Sequence, residues 1–172
     1  MHKPPYHERQ KDHAKLDSEV KSANVSEIVQ ALKDVSIFAG LSEECLALFA
    51  EHAEELSLKQ YERLYAEGDQ GEAIFVILEG HFSMQKGDIK SPLKIANFGP
   101  KEALGEMSFI DMQPRSTTVY ATTDAKLYRF SYLILEILRR EKFKTFTFFY
   151  MNLAREISRR LRDAEDVMLK GK

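Results

Sequence analysis

The residues best able to do chemistry lie in one segment. It reads Leu104-Gly105-Glu106-Met107-Ser108-Phe109-Ile110, then Asp111-Met112-Gln113, then Pro114-Arg115-Ser116-Thr117-Thr118-Val119. Gly105 has no Cβ and lets the backbone approach a neighbour closely. Glu106 to Ile110 can form one helical turn, whose free N–H groups suit an anion. Pro114 ends the loop, and Arg115 is expected to open a strand of small and β-branched residues. A guanidinium entering an apolar sheet needs compensation, because a buried unpaired charge is costly. Two arrangements supply it. One is an internal Arg115–Glu106 ion pair with no ligand. The other is a bound phosphate, which the planar fork meets with two parallel hydrogen bonds, with the Ser116 hydroxyl alongside.

Other chemistry is not legible. The single cysteine, Cys45, excludes a disulfide framework and a cysteine-rich metal site, and its apolar neighbours Leu46, Leu48 and Phe49 suggest a buried structural thiol. His2, His7 and His13 fit no metal-ligand spacing, and the five histidines form no constellation. There is no P-loop, no HExxH, and no serine or cysteine with a base at a recognisable spacing. No catalysis, metal or cofactor is expected.

The elements that position the segment can be read from patterning. The chain has 172 residues and a net charge of -2, which suits one domain with a tail. Residues 1–22 carry +1, residues 23–138 carry -8 and residues 139–172 carry +5. An acidic body argues against general nucleic-acid binding. No apolar run exceeds six residues and the N-terminus has no apolar core, so neither a membrane span nor a secretory signal is expected, and the cytoplasm is the default compartment.

Residues 1–24 are polar, contain Pro4-Pro5, and read as a disordered leader. Ser26 and Ser42 look like N-caps of two short helices, the first with Ile28, Leu32 and Val35 on one stripe. From about residue 55, short β-rich runs alternate with turns. They are Leu56-Ser57-Leu58, Leu64-Tyr65, Ala73 to Leu78, His81 to Gln85, Leu93 to Phe98, Arg115 to Thr122 and Lys126 to Phe130. Ala73 to Leu78 has the continuous apolar character of a strand buried on both faces. Seven or eight such strands with frequent turns predict a β-sandwich or barrel-like roll. Helix returns at Tyr132. Phe146, Tyr150, Leu153, Ile157, Leu161, Ala164 and Met168 then recur at helical spacing, so the first half of this helix should pack on the roll and the second half project beyond it. The division expected is a leader, 1–24; a roll with flanking helices, 25–142; and a C-terminal helix, 143–172.

Gly105-Glu106-Met107-Ser108 followed by Pro114-Arg115-Ser116-Thr117-Thr118-Val119 resembles the phosphate-binding cassette of cyclic nucleotide-binding domains, such as those of bacterial catabolite activators and cAMP-dependent kinase regulatory subunits. Val35 to Ser42 resembles the family's leading helix and turn, and Gly68-Asp69-Gln70-Gly71-Glu72 and Glu79-Gly80 resemble its two glycine turns. The resemblance spans about residues 28 to 165. It implies a mainly β fold: an eight-stranded antiparallel, jelly-roll-like β-roll with N-terminal helices and a long C-terminal helix.

It also implies site roles. Arg115 would bind the cyclic phosphate and Glu106 the ribose 2′-hydroxyl. Gly105 and the backbone of Met107 and Ser108 would complete the cradle, and Ser116 and Thr117 would contact the phosphate. The implied ligand is cAMP, with cGMP possible. Tyr61 stands where many members have glycine, and Ala164 and Glu165 fall near positions where some members meet adenine through hydroxyls. The chain ends at Lys172 with no helix-turn-helix, so direct DNA binding is not expected. The reading is a stand-alone sensor whose C-terminal helix acts as lid, forms a homodimer and meets an unknown effector protein. The alternatives are a ligand-free scaffold working through contacts alone, or a regulatory fragment of a larger channel or kinase.

Overall fold

The structure, a computed structural model, describes residues 25–87 and 91–170. The proposed leader, with His2, His7 and His13, lies outside the described residues. In chain order the elements are α1 (Val25–Lys33), a 3-10 turn (Ser36–Phe38), α2 (Glu43–Glu51), β1 (Ala53–Leu58), β2 (Arg63–Tyr65), β3 (Ala73–Glu79), β4 (Phe82–Lys86), β5 (Leu93–Phe98), β6 (Ala103–Leu104), α3 (Glu106–Asp111), β7 (Thr118–Ala121), β8 (Ala125–Ser131), α4 (Leu133–Glu141) and α5 (Phe143–Lys170).

The eight strands form two antiparallel four-stranded sheets, ordered β1-β8-β3-β6 and β2-β7-β4-β5. This is the eight-stranded roll expected. β3 shows why its sequence is apolar without alternation. Phe75 and Ile77 point into the roll with Leu58, Phe82, Leu104, Val119 and Leu127. Ile74 and Val76 point the other way, into a second core made with the helices. There Phe38, Phe49 and Phe149 pack with ring centroids 4.8–5.5 Å apart, joining the 3-10 turn, α2 and α5.

Local details depart from the expected pattern for physical reasons. Ser42 does cap α2, its hydroxyl accepting from Cys45 N at 3.3 Å. Ser26, expected to cap α1, lies inside that helix. Cys45 is half-buried, not fully buried, and its sulfur lies 2.9 Å from the Thr145 hydroxyl. β6 has only two residues, too few to leave a pattern. Tyr61 adopts φ +69°, so the backbone there is left-handed although the residue is not glycine.

The buried face of α5 is rotated from the one its apolar spacing suggests and shares Leu153 with it, while Phe146 and Tyr150 pack at its edge. The buried stripe is Thr145, Phe149, Asn152, Leu153 and Glu156. Phe146, Tyr150 and Ile157 lie about 60–100° round the helix from Phe149 and are half-buried. Three of the five buried residues are polar, so hydrophobic periodicity does not register them. Each has a partner: Thr145 meets Cys45, Asn152 donates to the carbonyls of Ile37 and Ala39, and Glu156 accepts from Ser36 Oγ at 2.7 Å. Beyond Arg160 the helix leaves the body. Residues 161–166 are all exposed, Leu161 to 60%. The side chain of Met168 lies outside the described residues.

Candidate functional site

Arg115 was expected to begin a strand. It lies instead in the loop before β7, which starts at Thr118. Its main chain is fixed by the glycine turn upstream: Arg115 N donates to Asp69 O, and Gly68 N donates to Arg115 O, both at 2.8 Å. Gly71 in the same turn packs so tightly on Ser108 that a Cβ there would collide with the Ser108 side chain. The Gly68–Glu72 turn, the Gly105–Ser108 segment and Arg115 therefore meet at one place.

The Arg115 side chain is 4% exposed. Nη1 donates to Gly105 O at 3.0 Å and Nη2 to Ala73 O at 2.6 Å. Gly105, with φ +83°, makes this possible, because a Cβ there would occupy the position of Nη1. Nε is buried and has no hydrogen-bond partner among the described residues. No carboxylate pairs with the guanidinium among those residues either, so the internal Arg115–Glu106 ion pair is not formed. Burial pulls the Arg115 pKa down, while its electrostatic interactions with Tyr65, Glu106 and Asp69 counter it. The faces of the guanidinium meet rings: its carbon lies 4.5 Å from the Tyr65 centroid and 5.6 Å from that of Phe75.

Glu106 is also 4% exposed and takes its partner from the far end of the chain. Arg160 Nη1 donates to Glu106 Oε1 at 2.7 Å, Nη2 to Ala103 O at 2.7 Å, and Nε to Glu156 Oε1 at 3.0 Å. The Arg160 guanidinium lies over the Phe98 ring at 4.8 Å. Arg159 pairs with the same Glu156. α5 is thus fastened to the site by one arginine shared between two carboxylates.

The other expected residues divide. Ser108 and Thr117 are buried, whereas Met107 and Ser116 are exposed. Burial pushes the pKa of the nearby Tyr65 phenol up. Sequence reasoning did not single out Tyr65, Phe98, Glu156 or Arg160 as site residues. The one available signal was the Glu156–Arg160 spacing, which favours an ion pair on a helix. A depression is lined, among the described residues, by Gln85, Gly87, Pro92, Thr118 and Tyr120, and does not include Arg115. Among the described residues there is no cluster able to hold a metal, and no helix is long and apolar enough to cross a membrane.

An orphaned buried cation behind a glycine, beside a carboxylate, is a place for a phosphate with an attached hydroxyl-bearing group. Comparison with known proteins bears on that arrangement. A family model described as "Cyclic nucleotide-binding domain" matches residues 55–141. The "Cyclic AMP receptor protein" of Thermus thermophilus is 29% identical over 138 residues, covering 78% of this chain and 61% of that protein. The cAMP-dependent protein kinase regulatory subunit of Yarrowia lipolytica is 28% identical over 116 residues, covering 64% of this chain and 30% of the subunit. This chain therefore spans less than two thirds of either relative, 61% of the one and 30% of the other. Among solved structures, a cyclic nucleotide-binding domain from Methylobacillus flagellatus superposes with a TM-score of 0.75 at 25% identity, covering 86% of this chain and 84% of that one. The Thermus thermophilus catabolite activator protein superposes at 0.65 with 28% identity, over 78% of this chain and 62% of that one. Since the family match runs from β1 to α4 and takes in Gly105, Glu106 and Arg115, this chain belongs to the cyclic nucleotide-binding domain family.

Proposed function

We propose that the domain is a cyclic nucleotide sensor, with cAMP the first candidate and cGMP the second, that signals through α5 without catalysing a reaction. The observation that carries the reading is Arg115, a buried cation that among the described residues has no carboxylate partner and an unsatisfied Nε. The Thermus and Yarrowia relatives are both named for cAMP, which puts that ligand first. On this reading Arg115 takes the cyclic phosphate and Thr117 and Ser116 assist it. Gly105, Met107 and Ser108 supply the close backbone, and Glu106 takes the ribose 2′-hydroxyl.

Glu106 then serves two partners. It holds Arg160 of α5, and it is the carboxylate that the ribose hydroxyl needs. A bound nucleotide changes the balance at that carboxylate and so shifts the population of α5 positions. The exposed end of α5, with Leu161 and Leu169 outward, is the surface through which a second copy or an effector protein would read the shift. No direct contact with DNA is part of this reading.

Isothermal calorimetry of the purified protein against cAMP, cGMP and cyclic dinucleotides tests it. Arg115→Ala should weaken binding by about 2–5 kcal/mol, or about 30- to 3000-fold, because the phosphate loses its buried charge partner. Arg115→Lys should also bind poorly, since a point charge does not replace the fork. A parent protein that binds none of these nucleotides, or an Arg115→Ala variant within threefold of the parent, overturns the assignment.

A further inference from the structure

We infer that Tyr65 is the positioning residue of the anion site: its ring carries the Arg115 guanidinium and so sets the direction in which the fork is presented. This rests on the reading of Arg115 as the phosphate ligand.

A buried guanidinium must have its charge compensated. The usual solution is a carboxylate, but a carboxylate engages the in-plane N–H edge, the same edge a phosphate needs. An aromatic ring compensates from above the plane and leaves that edge alone. Arg115 uses the second solution, with Tyr65 at 4.5 Å and Phe75 at 5.6 Å. The two rings stack on each other, centroids 6.1 Å apart and 27° between planes. Tyr65 comes from β2 and Phe75 from β3, so each sheet contributes one ring.

Of the pair, Tyr65 is the closer ring, and at 7% exposed it is held in place by the packing of the roll's interior. Glu106 and Asp69 both attract Arg115. Without the ring the guanidinium should turn toward them, and its fork would no longer be presented to a phosphate.

The test uses the full chain and two readouts. The first is the arginine side-chain ¹H–¹⁵N NMR spectrum without nucleotide, with the Arg115 signal assigned through Arg115→Lys. The Arg115 Hε should lie upfield of the other arginines, by the ring current of Tyr65, and should exchange slowly. Tyr65→Phe should keep the shift and Tyr65→Leu should lose it. An Arg115 Hε at the ordinary arginine position in the parent overturns the inference with no variant needed.

The second readout is calorimetry with cAMP, its two phosphorothioate diastereomers and 2′-deoxy-cAMP. Tyr65→Phe should bind cAMP within about threefold of the parent. Tyr65→Leu should lose tenfold or more, and its preference between the diastereomers should collapse toward one. Its preference for ribose over deoxyribose should persist, because that depends on Glu106. A Tyr65→Leu variant that binds like the parent while Arg115→Ala does not removes Tyr65 from the site and leaves the phosphate reading standing. Equal loss of both preferences reduces Tyr65 to a structural residue. A parent that binds no cyclic nucleotide removes both readings together.

Discussion

Arg160 and Glu106, 54 positions apart, are joined by a 2.7 Å hydrogen bond from Nη1 to Oε1, and this contact ties the last helix to the segment that contains the site. The same guanidinium reaches Glu156 on its own helix, and Glu156 accepts from Ser36 in the 3-10 turn. A continuous polar path therefore runs from the N-terminal helical region through α5 to α3. Its two carboxylates, Glu106 and Glu156, are buried, where a polar group without a partner is expensive, while Arg160 is half-buried and Ser36 exposed.

A double-mutant cycle measures that contact. Glu106→Gln and Arg160→Met should each lower stability by about 1–3 kcal/mol, the scale of one unsatisfied buried group. The double variant should lose less than the sum, with a coupling of about 1–2 kcal/mol between residues in direct contact. Urea unfolding followed by circular dichroism gives the four values. Strict additivity means that the contact is not maintained in solution. In the same series, Glu106→Gln should abolish the preference for cAMP over 2′-deoxy-cAMP, and a parent with no such preference takes Glu106 off the sugar.

Gly105 and Gly68 both have positive φ, but they face different surroundings. A Cβ on Gly68 meets nothing within 4 Å, whereas one on Gly105 collides with Arg115 and approaches Ala73 O. Gly68→Ala should therefore cost only the left-handed backbone term, about 1–2 kcal/mol. Gly105→Ala should cost a further ~1–3 kcal/mol from overpacking. It should also weaken nucleotide binding at least tenfold, because the Arg115 fork is displaced. Thermal melts and calorimetry on the two variants separate backbone strain from site damage.

The exposed end of α5 can be separated from its anchored part. Leu161→Glu leaves Arg160, Glu156 and Glu106 in place and adds charge to the outward face. If a second copy covers that face, light scattering should show a dimer for the parent and a monomer for Leu161→Glu, with nucleotide affinity within about threefold. Truncation after Ser158 removes Arg160 as well and should change affinity too. A parent that is monomeric at high micromolar concentration, with and without nucleotide, rejects the dimer. A truncated protein with unchanged affinity rejects the lid.

Acid should act visibly on α4. Glu136 accepts hydrogen bonds from Arg139 and Arg140, which hold its carboxyl at about 2, below the ordinary 4.5. A carboxyl with a depressed folded pKa contributes stability above its unfolded pKa and loses it as pH falls through the folded value. The stability difference between the parent and Glu136→Gln should thus be constant above about pH 5 and disappear as pH falls toward 2. The pair is exposed, so the effect is small and screened by salt. Carbon NMR of the Glu136 carboxyl, with a midpoint near 4.5, would contradict the pairing.

Local chemistry made much of this protein readable from sequence. The cassette residues are informative because glycine, proline and arginine each have a conformational or electrostatic property that few neighbours share. Gly105 needs a missing Cβ, and Arg115 needs an unusual reason to be buried. The roll was readable because each strand except β6 is long enough to show a β-rich run between turn residues. The double burial of β3 was readable from its unbroken apolar run, since both of its faces meet a core.

Tertiary structure alone decided how charge is compensated at the site. Sequence left Arg115 a choice between Glu106 and a phosphate, and it could not supply the third solution, because rings from β2 and β3 meet Arg115 only after the sheets have packed. Nor could it pair Glu106 with Arg160, since that bond depends on the angle at which α5 leaves α4 and crosses the roll. The packing face of α5 was hidden for a related reason. Periodicity counts apolar residues, and the buried stripe of α5 sets Thr145, Asn152 and Glu156 beside Phe149 and Leu153; the burial of those three is tolerable only because partners distant in sequence satisfy them.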